Sequence, residues 1–218
     1  LPSGAMRARW VGLMLVLALL GAAGGYGLGT LDHDEPATIA QAEPVPAQSP
    51  SIPVDPPPTF APDIDYPPLG TQLDYRSHRI GDPPYQWEYD APQGWVMTTQ
   101  DLDELRWRPA GEPVTGGFSL RVKLVSEHKT PQEMVDQKRT AVLAIYDDVE
   151  IIDQSEDELF FTYREPTAQT QRYDIFRWFT APGGSEADFE MSVVGRAVDE
   201  PGLQDLLDHV AVSVRKLP

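Results

Sequence analysis

Cysteine and asparagine are both missing from this 218-residue chain. Without cysteine there is no disulfide, no thiol nucleophile and no attachment point for the lipid of a lipoprotein signal. Without asparagine there is no acceptor for N-glycosylation. Lysine is scarce, with arginine outnumbering it 13 to 4, and bases are few altogether: 17 against 34 acids, a formal net charge of −17. Such a surface repels phosphate backbones, which sets nucleic acid aside as a partner. Cationic partners and divalent ions remain compatible with it, as does plain solubility. With no cross-links, the fold has to rest on its own core.

One stretch lacks charge entirely. Arg7 and Arg9 precede an uncharged run over residues 10–31, and Asp32, Asp34 and Glu35 follow it. Twenty-two residues of α-helix, at about 1.5 Å each, span roughly 33 Å, enough for a bilayer core of about 30 Å. Two readings fit. In one, residues 10–31 are an uncleaved transmembrane signal anchor. In the other, Val11 to Leu20 is the apolar segment of a secretory signal peptide, with Ala40-Gln41-Ala42 as its cleavage site. That site lies far beyond the apolar segment, which favours the anchor. The arginines place a short stub, residues 1–9, in the cytoplasm and the remainder outside a single-pass cell membrane, or secreted if the signal is cleaved. Leu1 to Ala5 precede Met6, so an alternative start and the tail of a longer chain both fit.

Residues 32–84 hold 13 of the 22 prolines, nine acids, and only Arg76 and Arg79 as bases. Apolar residues are scattered there without period. A segment of this kind buries too little surface to offset its ordering entropy, and reads as a disordered, partly polyproline-II stalk. Its extended reach is about 160 Å, at roughly 3.1 Å per residue. Residues 85–218, with four of the five tryptophans, then form one globular domain.

Within that domain the pattern is legible. Strands are expected at 85–89, 95–98 and 105–108, with Ala91-Pro92-Gln93-Gly94 as a turn. Phe118, Leu120, Val122 and Leu124 alternate onto one strand face. Thr130-Pro131-Gln132-Glu133 is a capping box with proline at the first helical position, and predicts a helix over 131–146 burying Met134, Val135, Val142 and Ile145 with the stem of Lys138 alongside. Strands follow at 149–152, 159–163, 173–180 and 189–193, with turns at Glu156-Asp157 and Pro182-Gly183-Gly184. Asp199 is expected to cap a last helix with Leu203, Leu206, Leu207, Val210 and Val214 on its apolar face. A meander of strands with two main helices predicts an antiparallel sheet packed with helices, the α+β class.

The run Tyr89-Asp90-Ala91-Pro92-Gln93-Gly94-Trp95 reads as an opening hairpin of the form aromatic, acid, small, Pro, x, Gly, Trp. Together with the helix opened by Thr130-Pro131 and the closing Val212-Ser213-Val214-Arg215, it resembles the Mog1/PsbP-like fold of LpqN-type exported proteins of actinobacteria. The resemblance spans about residues 85–217. It implies a binding or accessory protein with no shared catalytic centre, and so no catalytic residues to carry over. This chain departs from the lipoprotein members in having no lipid-bearing cysteine. The plentiful Ala, Gly, Pro and Asp, with arginine preferred to lysine, also suit the GC-rich genome of an actinobacterium.

Sites of chemistry are sparse. No G-x-S-x-G surrounds a serine, and His33, His78, His128 and His209 are isolated, without the spacing of a zinc site. Acidic groups stand at Asp101, Asp103 and Glu104, at Asp147, Asp148, Glu150 and Asp153, and at 156–158, and the stretch from Asp147 to Glu158 lacks the glycine of a calcium loop. No catalytic, cofactor-binding or metal residues are therefore assigned, and no cofactor is expected. The candidate recognition face is Arg106, Trp107, Arg108, Arg172, Arg177 and Trp178, where two strands each pair arginine with tryptophan. The plainer alternative has the arginines covering an exposed sheet face while the aromatics fill the core. The expectation is a membrane-tethered, extracytoplasmic, non-enzymatic binding or accessory domain, held by residues 10–31 and engaging a protein or cell-envelope partner. A sensor domain of a larger membrane protein and an unrecognised secreted enzyme are the alternatives.

Overall fold

The computed structural model describes residues 59–218 other than Leu102 and Val114. The expected stub, anchor and first half of the stalk, residues 1–58, lie outside the described residues. Among the described residues no helix is long and apolar enough to cross a membrane.

Among the described residues ten strands form two antiparallel sheets, accompanied by two α-helices. The chain runs β1 (Tyr75–Ile80), β2 (Trp87–Pro92), β3 (Trp95–Asp101), β4 (Glu104–Pro109), β5 (Ser119–Leu124), α1 (Pro131–Ile145), β6 (Asp147–Gln154), β7 (Glu158–Arg164), β8 (Gln171–Thr180), β9 (Ala187–Gly195), a 3-10 turn (Ala197–Asp199), α2 (Glu200–Ser213) and β10 (Arg215–Lys216). A seven-stranded sheet has the order β3-β4-β5-β9-β8-β7-β6, and a three-stranded sheet the order β1-β2-β10. The α+β expectation holds for this part of the chain.

Strand alternation gives the large sheet two apolar faces. Trp107, Leu120, Val122, Ile175, Met191 and Val193 turn one way, into a core shared with Trp87, Tyr89 and Ala91 of β2 and with Leu203, Leu206, Leu207 and Val210 of α2. Leu159, Phe161, Phe176 and Trp178 turn the other way, onto Met134, Val135 and Val142 of α1. On that second face α1 packs against β6, β7 and β8. The β4–β5–β9 strip beside it carries polar residues. Arg106 pairs with Arg121, Arg121 with Ser192, and Ser192 with Phe176, so these four form one row across the sheet.

Helix α1 begins as its sequence predicts. The Thr130 N–H donates to Glu133 Oε2 at 2.8 Å, and the Glu133 N–H donates back to Thr130 Oγ1 at 3.3 Å. One helical expectation fails and a second holds in position only. Ile145 is 71% exposed; it ends the helix, and the following Tyr146 packs on the core instead, its ring 4.3 Å from that of Tyr163. Asp199 stands at the start of α2 without a side-chain capping bond, because its carboxylate is taken up by Arg196 and the Leu69 N–H.

The opening motif is a corner rather than a hairpin. The turn at Gln93-Gly94, with Gly94 at φ +84°, sends the chain from β2 in the small sheet to β3 in the large one. In the closing segment Val212 and Ser213 finish α2, with Val212 87% exposed.

The folded unit starts well before the expected boundary at residue 85. β1 pairs with β2 from Tyr75↔Pro92 to Ile80↔Trp87, and Leu69 is buried. A proline-rich segment has few internal partners for its carbonyls, so they are free to accept from elsewhere. Arg196, 1% exposed, donates to the carbonyls of Ile64, Tyr66 and Pro67. The second half of the presumed stalk is thereby part of the domain.

Candidate functional site

Parity along the strands divides the six candidate recognition residues. On β4, Arg106 and Arg108 share one face and Trp107 takes the other. Trp107 is a core residue whose Nε1–H donates to Tyr89 Oη at 3.1 Å. On β8, Arg172 and Trp178 lie on the α1 side and Arg177 on the opposite side. Trp178 is buried, donating from Nε1 to Glu190 Oε2 at 2.8 Å. Arg177 donates to Glu158 Oε2 at 2.6 Å and approaches Asp208 of α2 at 3.7 Å. The tryptophans therefore fill the core, and Arg177 is an ion-pair residue away from the others.

Arg106, Arg108 and Arg172 do come together. They line a cavity of about 330 Å³ at the end of the polar strip, where α1 no longer covers the sheet. Ser119 and Val194 contribute from β5 and β9, Tyr163 from β7, and Phe118, Gly116 and Gly117 from the loop before β5. Residues 165–170, between β7 and β8, close the remaining side.

The two loops are held by Arg172 of β8 and by their own carboxylates. Arg172, 6% exposed, donates from Nη1 to the Gly116 carbonyl at 2.7 Å and from Nη2 to that of Gly117. Gly116 has φ +85°, a conformation side chains rarely adopt. At Gly117 a Cβ would collide with the carboxylate of Glu112, which accepts from the Phe118 N–H. Glu165 Oε2 accepts from the N–H groups of Thr167, at 2.9 Å, and Ala168. Both carboxylates in the wall are thus occupied in part by backbone donors.

Several polar atoms here have no partner. Among the described residues Arg106 Nε, Glu112 Oε2 and Thr170 Oγ1, all on cavity-lining residues, are buried without a hydrogen bond, and so is Asp174 Oδ1, beside Val194 on the same sheet face. Burial, with the neighbouring charges of Arg108 and Arg121, pulls the Arg106 guanidinium below its usual value. Burial also lowers Arg172 and raises Glu112. It pushes the Asp174 carboxyl up to about 7, against the opposing charges of Arg121, Lys138 and Arg172.

No protein-family model and no curated protein matches the chain. The site therefore has to be read from its own geometry. The histidines lie elsewhere: His78 packs on Trp107 at 4.3 Å, His128 contacts Glu186 at 2.9 Å, His209 stacks on Tyr75 at 3.5 Å, and His33 is outside the described residues. Among the described residues no three His, Asp or Glu side chains are grouped to hold a metal ion. A second hollow, of about 400 Å³, lies between Tyr85, Trp87, Val125 and His128. Its Glu186 is taken by His128, and its Asp188 by the Ala181 N–H.

Sequence reasoning named the three arginines and missed Glu112, Thr170 and Asp174. Asp174 did leave a signal, as the lone acid at a core-facing position of an aromatic strand. Glu112 and Thr170 left none, since each reaches the site through a loop.

Proposed function

We propose that this chain is a membrane-anchored, extracytoplasmic binding domain, non-enzymatic, whose ligand seat is the cavity beside Arg106, Arg108 and Arg172. The observation that carries the reading is convergence. Residues from β4, β5, β7, β8 and β9 and from two loops meet around one concavity, and cationic groups dominate its wall. A concave site with a few convergent polar groups on a rigid sheet is the usual form of a small-ligand seat. The anchor at residues 10–31, the outward placement of the domain and the likeness to Mog1/PsbP-like exported proteins belong to the same proposal. The cell envelope is the compartment in which its ligand or partner is sought.

The test is site-directed photo-crosslinking in intact cells. A photoreactive residue replaces Ala168, which is exposed and stands on the cavity rim. The expected result is capture of a discrete molecule that is lost when the photoreactive residue is moved to Val212. A folded, exported protein that captures nothing overturns the reading. A captured molecule recovered as a chemically altered product of the free ligand overturns the non-enzymatic part.

A further inference from the structure

Arginines in this protein are generally neutralised by acids. Arg121 contacts Glu104 and Glu190, Arg164 contacts Asp148, Arg177 contacts Glu158, and Arg196 contacts Asp199. Acids outnumber bases two to one, so partners abound. Yet among the described residues Arg172, buried, and Arg106, half-buried, make no ion pair. Arg172 spends its guanidinium on two neutral carbonyls. Arg106 keeps a buried Nε–H with no acceptor among the described residues. Both face one cavity, with a third guanidinium, Arg108, beside them. Leaving a desolvated cation without a counter-charge is costly, and an incoming anion relieves that cost.

We propose that the cavity takes a small ligand through an anionic group, carboxylate or phosphate, placed between Arg106 and Arg172. This rests on the binding reading above and specifies its chemistry. The carbon skeleton of the ligand lies against Phe118, Tyr163 and Val194, the apolar part of the wall. A volume of about 330 Å³ is at the lower end of the range for small-molecule sites, roughly 300–1,000 Å³, which suits a metabolite-sized molecule. The surrounding charge of −17 works against anions in bulk and leaves this concavity as a local exception. Burial lowers both arginines, and the charges of Arg108 and Arg121 add to it at Arg106, as expected where counter-charge is scarce.

The probes are benzoate and phenyl phosphate, with benzyl alcohol as the uncharged control. The anionic headgroup of a lipid is tested separately with vesicles of phosphatidylglycerol against phosphatidylcholine. Binding to the full chain in detergent is followed by thermal shift and by titration calorimetry. Expected is saturable binding of at least one anion and none of the alcohol. Arg106→Gln should weaken it at least tenfold, the order of one charge-assisted hydrogen bond, and Arg106→Lys should restore part of the affinity. Thr170→Val and Ala168→Glu keep the test open if the Arg106 variants fold poorly. The first removes a buried hydroxyl that has no partner, and the second sets a like charge on an exposed rim, so both are expected to fold and to weaken the anion. Binding only of phosphatidylglycerol vesicles, abolished by Arg106→Gln, assigns the anion to a lipid. Absence of binding by every anionic probe, or equal binding by wild type and all four variants, overturns the proposal. If the crosslinker at Ala168 still captures a molecule, the binding reading survives that failure; if it captures nothing, both fall.

Discussion

Replacing Arg196 with methionine should detach the N-terminal segment of the domain and cost about 3–5 kcal/mol, the usual range for breaking a buried ion pair by removing one partner. The structure allows an independent sum. The guanidinium makes five hydrogen bonds: two to Asp199, both at 2.8 Å, and one each to Ile64, Tyr66 and Pro67, between 2.7 and 3.2 Å. At about 1 kcal/mol net apiece these give about 5 kcal/mol. Asp199, 0% exposed, would keep only the N–H groups of residue 196 and Leu69. With a urea slope of about 2 kcal/mol per molar, a loss of about 4 kcal/mol lowers the unfolding midpoint by about 2 M. Urea titration followed by tryptophan fluorescence measures it, and limited proteolysis between residues 62 and 74 reports the segment itself. Adding Asp199→Leu to the variant should recover part of the loss, because the orphaned carboxylate goes with it. A midpoint change below about 0.5 M with the segment still protected would refute the reasoning. The pair also has a pH signature. Burial raises the Asp199 carboxyl, but the bonds from the Arg196 side chain, its N–H and the Leu69 N–H outweigh that, and the net shift is downward from 3.8. Its contribution is therefore complete above about pH 4 and disappears as pH falls through the lowered folded value.

Thr130→Ala removes the capping box of α1 and should cost about 1 kcal/mol, read as a lower thermal midpoint with unchanged helix content below it. Asp174 behaves oppositely to Asp199: its carboxyl is pushed up from 3.8 to about 7 by burial, so the native state holds a proton that the unfolded chain has released, and stability declines as pH rises from about 4 to 7. Asp174→Asn should flatten that decline, leaving the variant better off relative to wild type at pH 8 than at pH 5; parallel thermal-midpoint profiles would contradict it. Because the chain has no cysteine, Val212→Cys, at a position 87% exposed, provides a single thiol for topology. A membrane-impermeant maleimide should label it in intact cells, and labelling only after lysis would place the domain on the cytoplasmic side.

Local signals carried much of the fold. The alternation of Phe118, Leu120, Val122 and Leu124, the capping box at Thr130 and the spacing of Leu203, Leu206, Leu207 and Val210 each read correctly, because burial there follows from one element facing one core. β1 was hidden because Tyr-Arg-Ser-His-Arg-Ile is a sheet-edge strand with charges on it, and its order comes from β2 and from Arg196 far along the chain. The site was half legible. Strand parity already separates Arg106 and Arg108 from Trp107, and Arg172 from Arg177, without any coordinates. What parity does not give is which strands meet. β4 and β8 are separated in the sheet by β5 and β9, and the loops carrying Glu112 and Thr170 close over the gap only through long-range bonds such as those of Arg172.

The first described residues leave the domain along the cavity rim. Arg164 donates to the Thr59 carbonyl at 3.0 Å and lies 4.6 Å over the ring of Phe60, while the Ala61 N–H donates to the Gln169 carbonyl at 2.9 Å. All three attachments are to residues 164–169, the stretch that bounds one side of the cavity. A pull applied from the N-terminal side is therefore borne first by Arg164, the end of β7, and by the loop beside it that bounds the cavity. Tension in the chain therefore reaches one wall of the cavity early on its way into the fold.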